Sequence, residues 1–388
     1  MFEIVNTPRD YAWGSTSAIA ELLGTVPSGA PEAELWLGDH PACPARVATT
    51  GQSLIAWGAS HPERFGTGSL PFLLKVLAAE SPLSIQAHPT RAQAERGFDR
   101  ENTAGLDPDS PNRNYRDANH KPEVIVALTD FSALCGFRPS TQHAAIIAEL
   151  VHRNIPGSSE LASAVATGLD SAVEWILTRG DGVDQLVDAL SGGIRNPSDA
   201  IVDDALETAR MLSSHFPGDP GVVVSLLLNH VTLRSGEALF LPSGNIHAYL
   251  HGLGIEVMAA SDNVLRGGLT AKHVDVPELL SVLDFRELDE PRLDPTESNG
   301  VRTFDPGLDD FILTEITARD DVHVTISGPA IAIAVEGEVV LHSDDECGLS
   351  RGRSVFVDAG ETLRRVSGHG RIFVAHSPTR NFSESKLD

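Results

Sequence analysis

The spacing of apolar residues divides the chain into two strand-rich parts with a helical part between them. Short apolar runs bounded by Gly, Pro and Asn fill residues 1–139, and similar runs return from residue 217 onward. Alternating or short continuous apolar runs are typical of strands. Over residues 140–216, apolar residues recur at steps of three and four, which is the period of a helix. The pattern therefore predicts a mainly β protein with a helical insertion.

The strand-rich parts contain several separate elements. In the first part and just after the helical part, strands are predicted at Pro71–Leu77, Leu83–His88, Val124–Leu128, Val222–Val224 and Leu239–Leu241, and a helix at Thr90–Phe98. Near the C-terminus, strands are predicted at Phe311–Ile316, Val322–Ile326, Ala330–Val335, Val339–His342 and Val355–Val357. Residues two apart on a strand face the same side, so Gln86 and His88 are expected to point together.

Two apolar stripes mark the helical part. The first consists of Leu161, Val165, Leu169, Val173 and Ile176, and the second of Ile201, Ala205, Leu206, Ala209 and Leu212. Each stripe predicts one face of a helix. Ser158 and Ser198 are the expected N-caps.

One segment near the C-terminus repeats the spacing of an earlier segment. From Gly236 the chain reads G-x5-P-x-G-x2-H and ends at His247, and from Gly352 it reads G-x5-D-x-G-x2-L and ends at Leu363. This echo indicates an internal duplication in which leucine takes the place of the histidine.

Composition restricts the possible partners. The chain has 388 residues, 54 acidic and 29 basic side chains, and a net charge of -25. Such a charge disfavours nucleic acid and anionic membranes, and it confines any phosphate site to a local cluster of Lys and Arg. The three cysteines are too dispersed for a C-x-x-C zinc site. No apolar run approaches ~20 residues and the N-terminus lacks a signal-peptide core, so we expect a cytoplasmic protein without membrane or nucleic-acid partners.

Three segments carry the candidate chemistry. They are SIQAHP at 84–89, YRDANHKPE at 115–123, and GEALFLPSGNIHAYLHGLGIEVMAASDNVLRGGLTAK at 236–272. In the third segment, charged residues alternate densely with apolar ones. This pattern predicts a polar pocket rather than a solvated face.

These segments resemble a known family. The G-x5-P-x-G-x2-H spacing is similar to the second motif of the cupin superfamily, whose jelly rolls often hold one metal ion. The strings YRDANHKPE and HAYLHGLGIEVMAASDNVLRGGLTAK resemble the two signatures of type I mannose-6-phosphate isomerases. The second string departs from that signature at Gly267 and Ala271, where Ala and Pro are usual. Tyr11–Gly14 and Glu34–Gly38 also resemble the family, so the likeness spans most of the chain.

The resemblance implies two cupin-like jelly rolls plus an α-helical domain. We expect a discontinuous catalytic jelly roll from 1–139 and 217–288, and a helical insertion from 140–216. A C-terminal jelly roll without a metal site is expected from 300–388.

The resemblance also implies one Zn²⁺ ion per chain, bound by Gln86, His88, Glu123 and His247. Imidazole and carboxylate are ordinary zinc ligands, and solvent can fill an open position. A carboxamide oxygen is a rarer ligand, so taken alone Gln86 is more often a hydrogen-bonded strand residue.

The implied reaction interconverts mannose 6-phosphate and fructose 6-phosphate by proton transfer through an enediol. Arg266 corresponds to the family's catalytic arginine and is expected to stabilise negative charge, whereas a loop-holding pair with Asp262 is the structural alternative. Lys121 and Glu256 are the candidate acid–base groups, and His120 is a candidate for ring opening. The sequence does not choose among these groups.

The substrate's phosphate requires a basic pocket. Ser84, Lys75 and Lys272 are the candidates, because a hydroxyl and an ammonium both donate to phosphate oxygens. The substrate partner is thus a small phosphorylated sugar, and we expect a monomer.

Two other functions remain open. An iron-dependent cupin dioxygenase usually has a histidine-rich ligand set, and Gln86 argues against that class. A non-catalytic sugar-phosphate sensor would explain a pocket, but it would not explain the joint presence of Lys121, Glu256 and Arg266.

Overall fold

The computed structural model describes residues 1–66, 68–194, 199–288 and 292–378. Within these ranges the chain forms two antiparallel sheets and a group of helices. The strands are β1 (Phe2–Val5), β2 (Glu34–Leu37), β3 (Arg46–Val47), β4 (Phe72–Ala79), β5 (Gln86–Ala87), β6 (Glu123–Ala127), β7 (Phe131–Phe137), β8 (Leu228–Leu233), β9 (Ala238–Leu241), β10 (His247–Ala259), β11 (Leu265–Arg266), β12 (Thr296–Ser298), β13 (Val301–Phe304), β14 (Ile312–Ala318), β15 (Val322–Ser327), β16 (Ala330–His342), β17 (Glu346–Ser350), β18 (Ser354–Val357) and β19 (Thr362–His376). The helices are α1 (Ala18–Leu23), α2 (Leu54–Ser60), α3 (Pro62–Phe65), α4 (Arg91–Thr103), α5 (Ser140–His152), α6 (Ser158–Thr167), α7 (Leu169–Leu177), α8 (Val183–Ser191), α9 (Ala200–His215), α10 (Gly221–Ser225) and α11 (Val276–Val282). None of the helices in these ranges is long and apolar enough to cross a membrane.

The first sheet carries the candidate chemistry and is organised around β10. The beginning of β10 pairs with β5 and β7, and the rest pairs with β4 and β6. The partners change at Gly252, where φ is 126° and an added Cβ would lie 2.7 Å from the carbonyl oxygen of Asp130. Only glycine fits such a close approach with positive φ, so this residue lets one long strand serve both halves of the sheet.

The second sheet has the strand order β12-β13-β14-β19-β16-β18-β1-β3, with β15 on β19 and β17 on β16. The two predicted strands at 330–335 and 339–342 are one continuous strand, β16. Its long partner β19 was not predicted, because the sequence TLRRVSGHGRIFVAH interrupts its apolar positions with charges and glycines. β1 and β3 lie in the part of the chain expected to form the first jelly roll, but they pair into the second sheet.

Each of the two echo segments, residues 236–247 and 352–363, forms a strand, a turn and the start of a second strand, and these two strands pair with other strands rather than with each other. β9 leads through a turn to His247 at the start of β10, and β18 leads through a turn to Leu363 near the start of β19. The first glycine of each segment, Gly236 or Gly352, has positive φ, at 88° and 81°. The mainly β fold with inserted helices is confirmed.

The helices between the strand-rich parts pack on the first sheet through a shared apolar cluster that includes Leu134, Ile246 and Leu265. The first predicted stripe is not one helix, because the chain breaks between α6 and α7 at Gly168. Residues 222–224 form the short helix α10 rather than a strand. A short, fully buried apolar run has no period that separates the two structures.

The N-caps of two helices differ from those predicted. Gly157 precedes α6, and Ser158 is the first residue of that helix. Asp199 caps α9, because its carboxylate accepts hydrogen bonds from the backbone N–H groups of Ile201 and Val202. Ser198, the predicted cap, lies outside the described residues. The predicted helix from Thr90 is present as α4.

Candidate active site

Three buried side chains from separate segments converge at one edge of the first sheet. His88 follows β5, Glu123 begins β6 and His247 begins β10. Nε2 of His88 lies 3.5 Å from Oε1 of Glu123, and Nε2 of His247 lies 3.5 Å from Oε2. Each side chain is at most 2% exposed. The structure thus brings together three of the four predicted metal ligands.

Backbone carbonyls orient the two imidazoles. His88 Nδ1 lies 2.7 Å from the carbonyl oxygen of Asn263, and His247 Nδ1 lies 3.1 Å from that of Asn245. A carbonyl oxygen only accepts, so each Nδ1 carries the proton and each Nε2 presents a lone pair toward Glu123. Burial, aided by Lys121, lowers the pKa of His88 to about 4, which favours the neutral ring that a metal requires.

The facing acceptor atoms fit a metal ion. Nε2 of His88, Nε2 of His247 and Oε2 of Glu123 are buried and have no hydrogen-bond partner among the described residues. Unpaired buried acceptors this close together repel one another, whereas a cation between them satisfies all three. A tetrahedral zinc with ligands at about 2.1 Å separates two ligand atoms by roughly 3.4 Å, close to the 3.5 Å between Nε2 of His247 and Oε2 of Glu123.

Glu123 is suited to remain anionic in this centre. Burial alone would raise its pKa, but Lys121 and the neighbouring histidines hold that pKa well below its usual range. Nζ of Lys121 lies 3.1 Å from Oε1 of Glu123. The carboxylate therefore keeps one oxygen without a donor while its charge is already stabilised.

Gln86, the fourth predicted ligand, lies beside this centre. Its backbone pairs with His247 on one side and with Arg266 on the other. The strand that was expected at 83–88 is shorter, however, and ends at Ala87. Gln86 is half-buried and lines the cleft described next.

A cleft of about 950 Å³ borders the centre. The predicted site residues that line it are Lys75, Ser84, Gln86, Lys121, Glu123, Glu256, Arg266 and Lys272. Such a volume is typical of sites for small molecules, and here the walls bear an unusual share of charged groups. The charges fall into two groups.

The first group is cationic and consists of Arg116, Arg266 and Lys272. Burial and mutual repulsion lower the pKa of Arg266 and that of Lys272. The expected alternative partner of Arg266, Asp262, instead faces His40 at 3.4 Å. Like charges gathered in this way are favourable when an anion binds between them, so the group can hold a phosphate. Arg116 was missed because it occupies a variable position of the nonapeptide signature.

The second group is a buried ion-pair network around Lys75. Nζ of Lys75 lies 3.0 Å from Glu256 and 3.5 Å from Glu34. Burial disfavours the ammonium, but the two carboxylates outweigh this and raise the pKa of Lys75 above its ordinary value. Its charge is matched by two carboxylates while it lines the cleft, so the phosphate role expected for Lys75 stays a prediction.

Glu256 accepts two hydrogen bonds within this network. Its Oε1 accepts from the hydroxyl of Tyr249 at 3.0 Å, and its Oε2 accepts from Lys75 at 3.0 Å. Burial raises the pKa of Glu256, although Lys75 opposes the rise. Trp36 donates to Glu34 at 2.8 Å and so fixes the far side of the network. Tyr249 and Glu34 were not singled out, although both lie in segments that carry the resemblance.

Asn263 clasps the two signature segments together. Its side-chain oxygen accepts from the N–H of Arg116 at 2.7 Å, and its amide donates to the carbonyls of Asp117 and Asn119 at 2.9 and 2.8 Å. Its own carbonyl is the group that orients His88. This fully buried residue thus links the loop before Glu123 to a metal-ligand candidate.

His120 is not at the cleft. Its Nε2 donates to Asp310 at 2.9 Å, and Asp310 lies two residues before β14. The suggestion that His120 assists ring opening stays a prediction.

Comparison with known proteins gives one family. A model of the type I phosphomannose isomerase catalytic domain matches residues 1–140. The chain is 36% identical to a mannose-6-phosphate isomerase of Escherichia coli, over 96% of this chain and 98% of the relative. It superposes on a crystal structure of mannose 6-phosphate isomerase in apo form from Salmonella typhimurium with a TM-score of 0.88, at 35% identity, covering 97% of this chain and 98% of the other. A crystal structure of mannose 6-phosphate isomerase bound with zinc and yttrium gives a TM-score of 0.87 at 35% identity, with the same coverage.

Proposed function

The chain belongs to the type I mannose-6-phosphate isomerase family, and on that basis we propose that it interconverts mannose 6-phosphate and fructose 6-phosphate with one zinc ion bound per chain. The observation that carries the proposal is the set of buried acceptor atoms of His88, Glu123 and His247, which face one another without a donor beside a charged cleft. Gln86 is proposed as the fourth protein ligand, because its backbone pairs with His247.

Zinc at this centre would supply Lewis acidity to the oxygens of the reacting carbons. The chain's own contribution is to orient both imidazoles through the carbonyls of Asn263 and Asn245. Hydrogen bonds of this kind fix the tautomer and ring orientation of a metal ligand.

Arg266 is proposed to stabilise the negative charge that develops on the enediol oxygens. Its lowered pKa still leaves a guanidinium charged at neutral pH, since the ordinary value lies so high. Its place next to Gln86 in the paired strands puts it beside the proposed metal centre. A fixed cation that is partly shielded from water stabilises a developing anion more strongly than solvent does.

Glu256 and Lys121 are proposed as the groups that move the proton between C1 and C2. A general acid–base group works best when its pKa lies near the operating pH, and burial shifts Glu256 in that direction. Lys121 borders the metal centre through Glu123, and therefore can donate to an oxygen of the substrate there. The two groups thus differ in position, Glu256 being held by Lys75 and Tyr249 instead.

The phosphate is proposed to bind Arg116, Lys272 and Ser84. The first two belong to the cationic group, and Ser84 adds a hydroxyl donor on the wall of the same cleft. Charge-assisted hydrogen bonds to phosphate are among the stronger polar contacts in proteins. Because the whole chain is acidic, this local cluster is what makes an anionic substrate acceptable.

A coupled assay with mannose 6-phosphate, with and without a chelator, tests the proposal. We expect turnover, about one zinc per chain by elemental analysis, loss of activity with the chelator and recovery on adding zinc. An active preparation that contains no transition metal would contradict the zinc assignment. Oxygen consumption would indicate a dioxygenase instead, and binding without turnover would indicate a sensor. Light scattering on the same sample tests the expected monomer.

A further inference from the structure

One carboxylate of the C-terminal part reaches the loop that precedes Glu123. Oδ2 of Asp310 accepts a hydrogen bond from His120 at 2.9 Å, and Oδ1 accepts one from Arg91 at 3.1 Å. Arg91 in turn donates to the side-chain oxygen of Asn119 at 3.0 Å. Asp310 therefore holds two consecutive loop residues, one directly and one through an arginine.

The loop borders two clefts. One is the 950 Å³ cleft, and the other has a volume of about 680 Å³. Arg116 borders both clefts, whereas Asn119 and Asp310 line only the second. Residues 116–120 form no helix or strand, and none of them is buried. Because none of these residues is buried, polar contacts rather than apolar packing set the position of this segment.

The contact between Asp310 and His120 is well shielded. Their side chains are 12% and 17% exposed, whereas that of Arg91 is 47% exposed. Charge-assisted hydrogen bonds weaken as solvent exposure rises, so His120 is the main point of attachment and Arg91 the weaker one. Asn263, between β10 and β11, also donates hydrogen bonds to this loop, so two separate segments of the chain hold it.

We propose that Asp310 is a positioning residue for the active site. By fixing Asn119 and His120, it sets where the next residues, Lys121 and Glu123, stand at the metal centre. The proposal rests on the proposed function, since it assigns those two residues to chemistry. It gives the C-terminal part, which supplies none of the proposed ligands, a direct effect on turnover.

The test compares two carboxylates that both reach across from the C-terminal sheet. Asp310→Asn keeps the side-chain size but weakens the bonds to His120 and Arg91. Asp358→Asn is the matched control. Asp358 is buried and pairs with Arg64 in α3, at 2.6 Å from its Nε, and within the described ranges the loop is not among its partners. Both variants receive the same measurements, namely steady-state kinetics, zinc affinity by chelator competition and thermal unfolding.

Asp310→Asn is expected to lower kcat by about 10- to 100-fold with KM changed less than about threefold, because small displacements of reacting groups have effects of this size. Its zinc affinity should fall as well, since Glu123 shifts. Asp358→Asn should lower the unfolding temperature and leave kcat and zinc affinity unchanged. Asp310→Glu, which restores the carboxylate, should recover part of kcat.

Two results would overturn the proposal. One is an Asp310→Asn variant with unchanged kcat and zinc affinity, and the other is an equal loss of kcat in both variants, which would indicate a general effect of loosening the two sheets. If the unaltered protein does not turn over mannose 6-phosphate, the proposed function fails. Zinc affinity then still tests the positioning role by itself.

Discussion

The echo segment from Gly236 to His247 and the echo segment from Gly352 to Leu363 have the same residue spacing and different surroundings. Around His247 stand the imidazole of His88 and the carboxylate of Glu123. Around Leu363 stands an apolar cluster, and its strand partner is Ile326. The shared spacing therefore specifies a strand, a turn and a second strand, whereas the chemistry depends on the side chains that neighbouring strands place beside the echo segment.

The two echo segments also differ in how burial affects stability. Acceptor atoms at the first are buried without donors among the described residues, which is unfavourable unless a ligand satisfies them. The second buries aliphatic side chains such as Leu341 and Val366, a directly stabilising arrangement. A protein keeps an unfavourable buried polar group mainly where that group has a function. The contrast assigns chemistry to the first sheet and support to the second.

The largest effect is expected from removing the histidine of the first echo segment. His247→Ala deletes one nitrogen ligand, so zinc content should fall well below one per chain. Catalytic efficiency should fall at least about 10³-fold, because Lewis-acid stabilisation is worth several kcal/mol and each ~1.4 kcal/mol is tenfold in rate. Elemental analysis and the coupled assay on one sample measure both quantities. A variant that kept zinc and full activity would remove His247 from the ligand set.

The next effect is expected at Arg266, which lies in the same sheet but outside the ligand set. Arg266→Ala should lower kcat by about 10²–10³ and leave zinc content intact, because it removes one fixed charge that faces the transition state. Arg266→Lys should rescue only in part, since a point charge does not reproduce the planar guanidinium. A variant with normal kcat and raised KM would show instead that Arg266 binds the phosphate. Loss of zinc would place it in support of the metal.

Two lysines that line the same cleft should respond differently. Lys272→Ala is expected to raise KM by about tenfold with little change in kcat, because an exposed charge contributes less than a buried one to phosphate binding. Lys75→Met leaves Glu34 and Glu256 buried together without a counter-charge, and should destabilise the fold by about 3–5 kcal/mol. Denaturant unfolding and kinetics on both variants separate the two roles. If Lys75→Met changed only KM, the ion-pair assignment would be incorrect.

The ion-pair partners of Lys75 are a feature that the sequence does not specify. Local patterns predicted the fold class and strands such as β4, β6 and β14, because each depends on neighbouring residues, whereas the family resemblance supplied the segments of the metal centre. The partners of Lys75 depend instead on strand register, which sets it opposite Glu256 in β10 and Trp36 in β2. A sequence lists charges far apart along the chain and does not show which of them meet.

Two errors of secondary-structure prediction also arise from contacts between distant residues. A helix was predicted across Gly168 because the apolar period continues through the break between α6 and α7. β19 was missed because its glycines and charges interrupt the apolar alternation, although its long pairing with β16 stabilises it. Tertiary contacts override local preference in both cases. Asp310 likewise has no local signal, since its partners lie about 200 residues away.

The smallest effect on turnover is expected at the position that matches His247. Leu363→Ala removes a fully buried side chain from the apolar cluster and should destabilise the protein by about 2–5 kcal/mol, depending on how far the cavity collapses. Turnover per folded molecule should stay unchanged, because its strand partner and packing lie within the C-terminal sheet. Denaturant unfolding measures the first quantity, and kinetics at a temperature where the variant is folded measure the second. Loss of turnover in folded Leu363→Ala would contradict a purely structural role for the second echo segment.

A reciprocal change sharpens the same comparison. Leu363→His places an imidazole at the position that matches His247 in the first echo segment. The strand neighbour at this position is Ile326, however, and the surrounding cluster is aliphatic. One imidazole without a carboxylate or a second imidazole beside it does not make a zinc site. We therefore expect zinc to stay at about one per chain while stability falls, because a polar ring is then buried without a partner. A second equivalent of zinc would mean that the spacing of the echo segment, together with one histidine, is sufficient for binding. The expected result assigns the ligand set to the strands that surround His247.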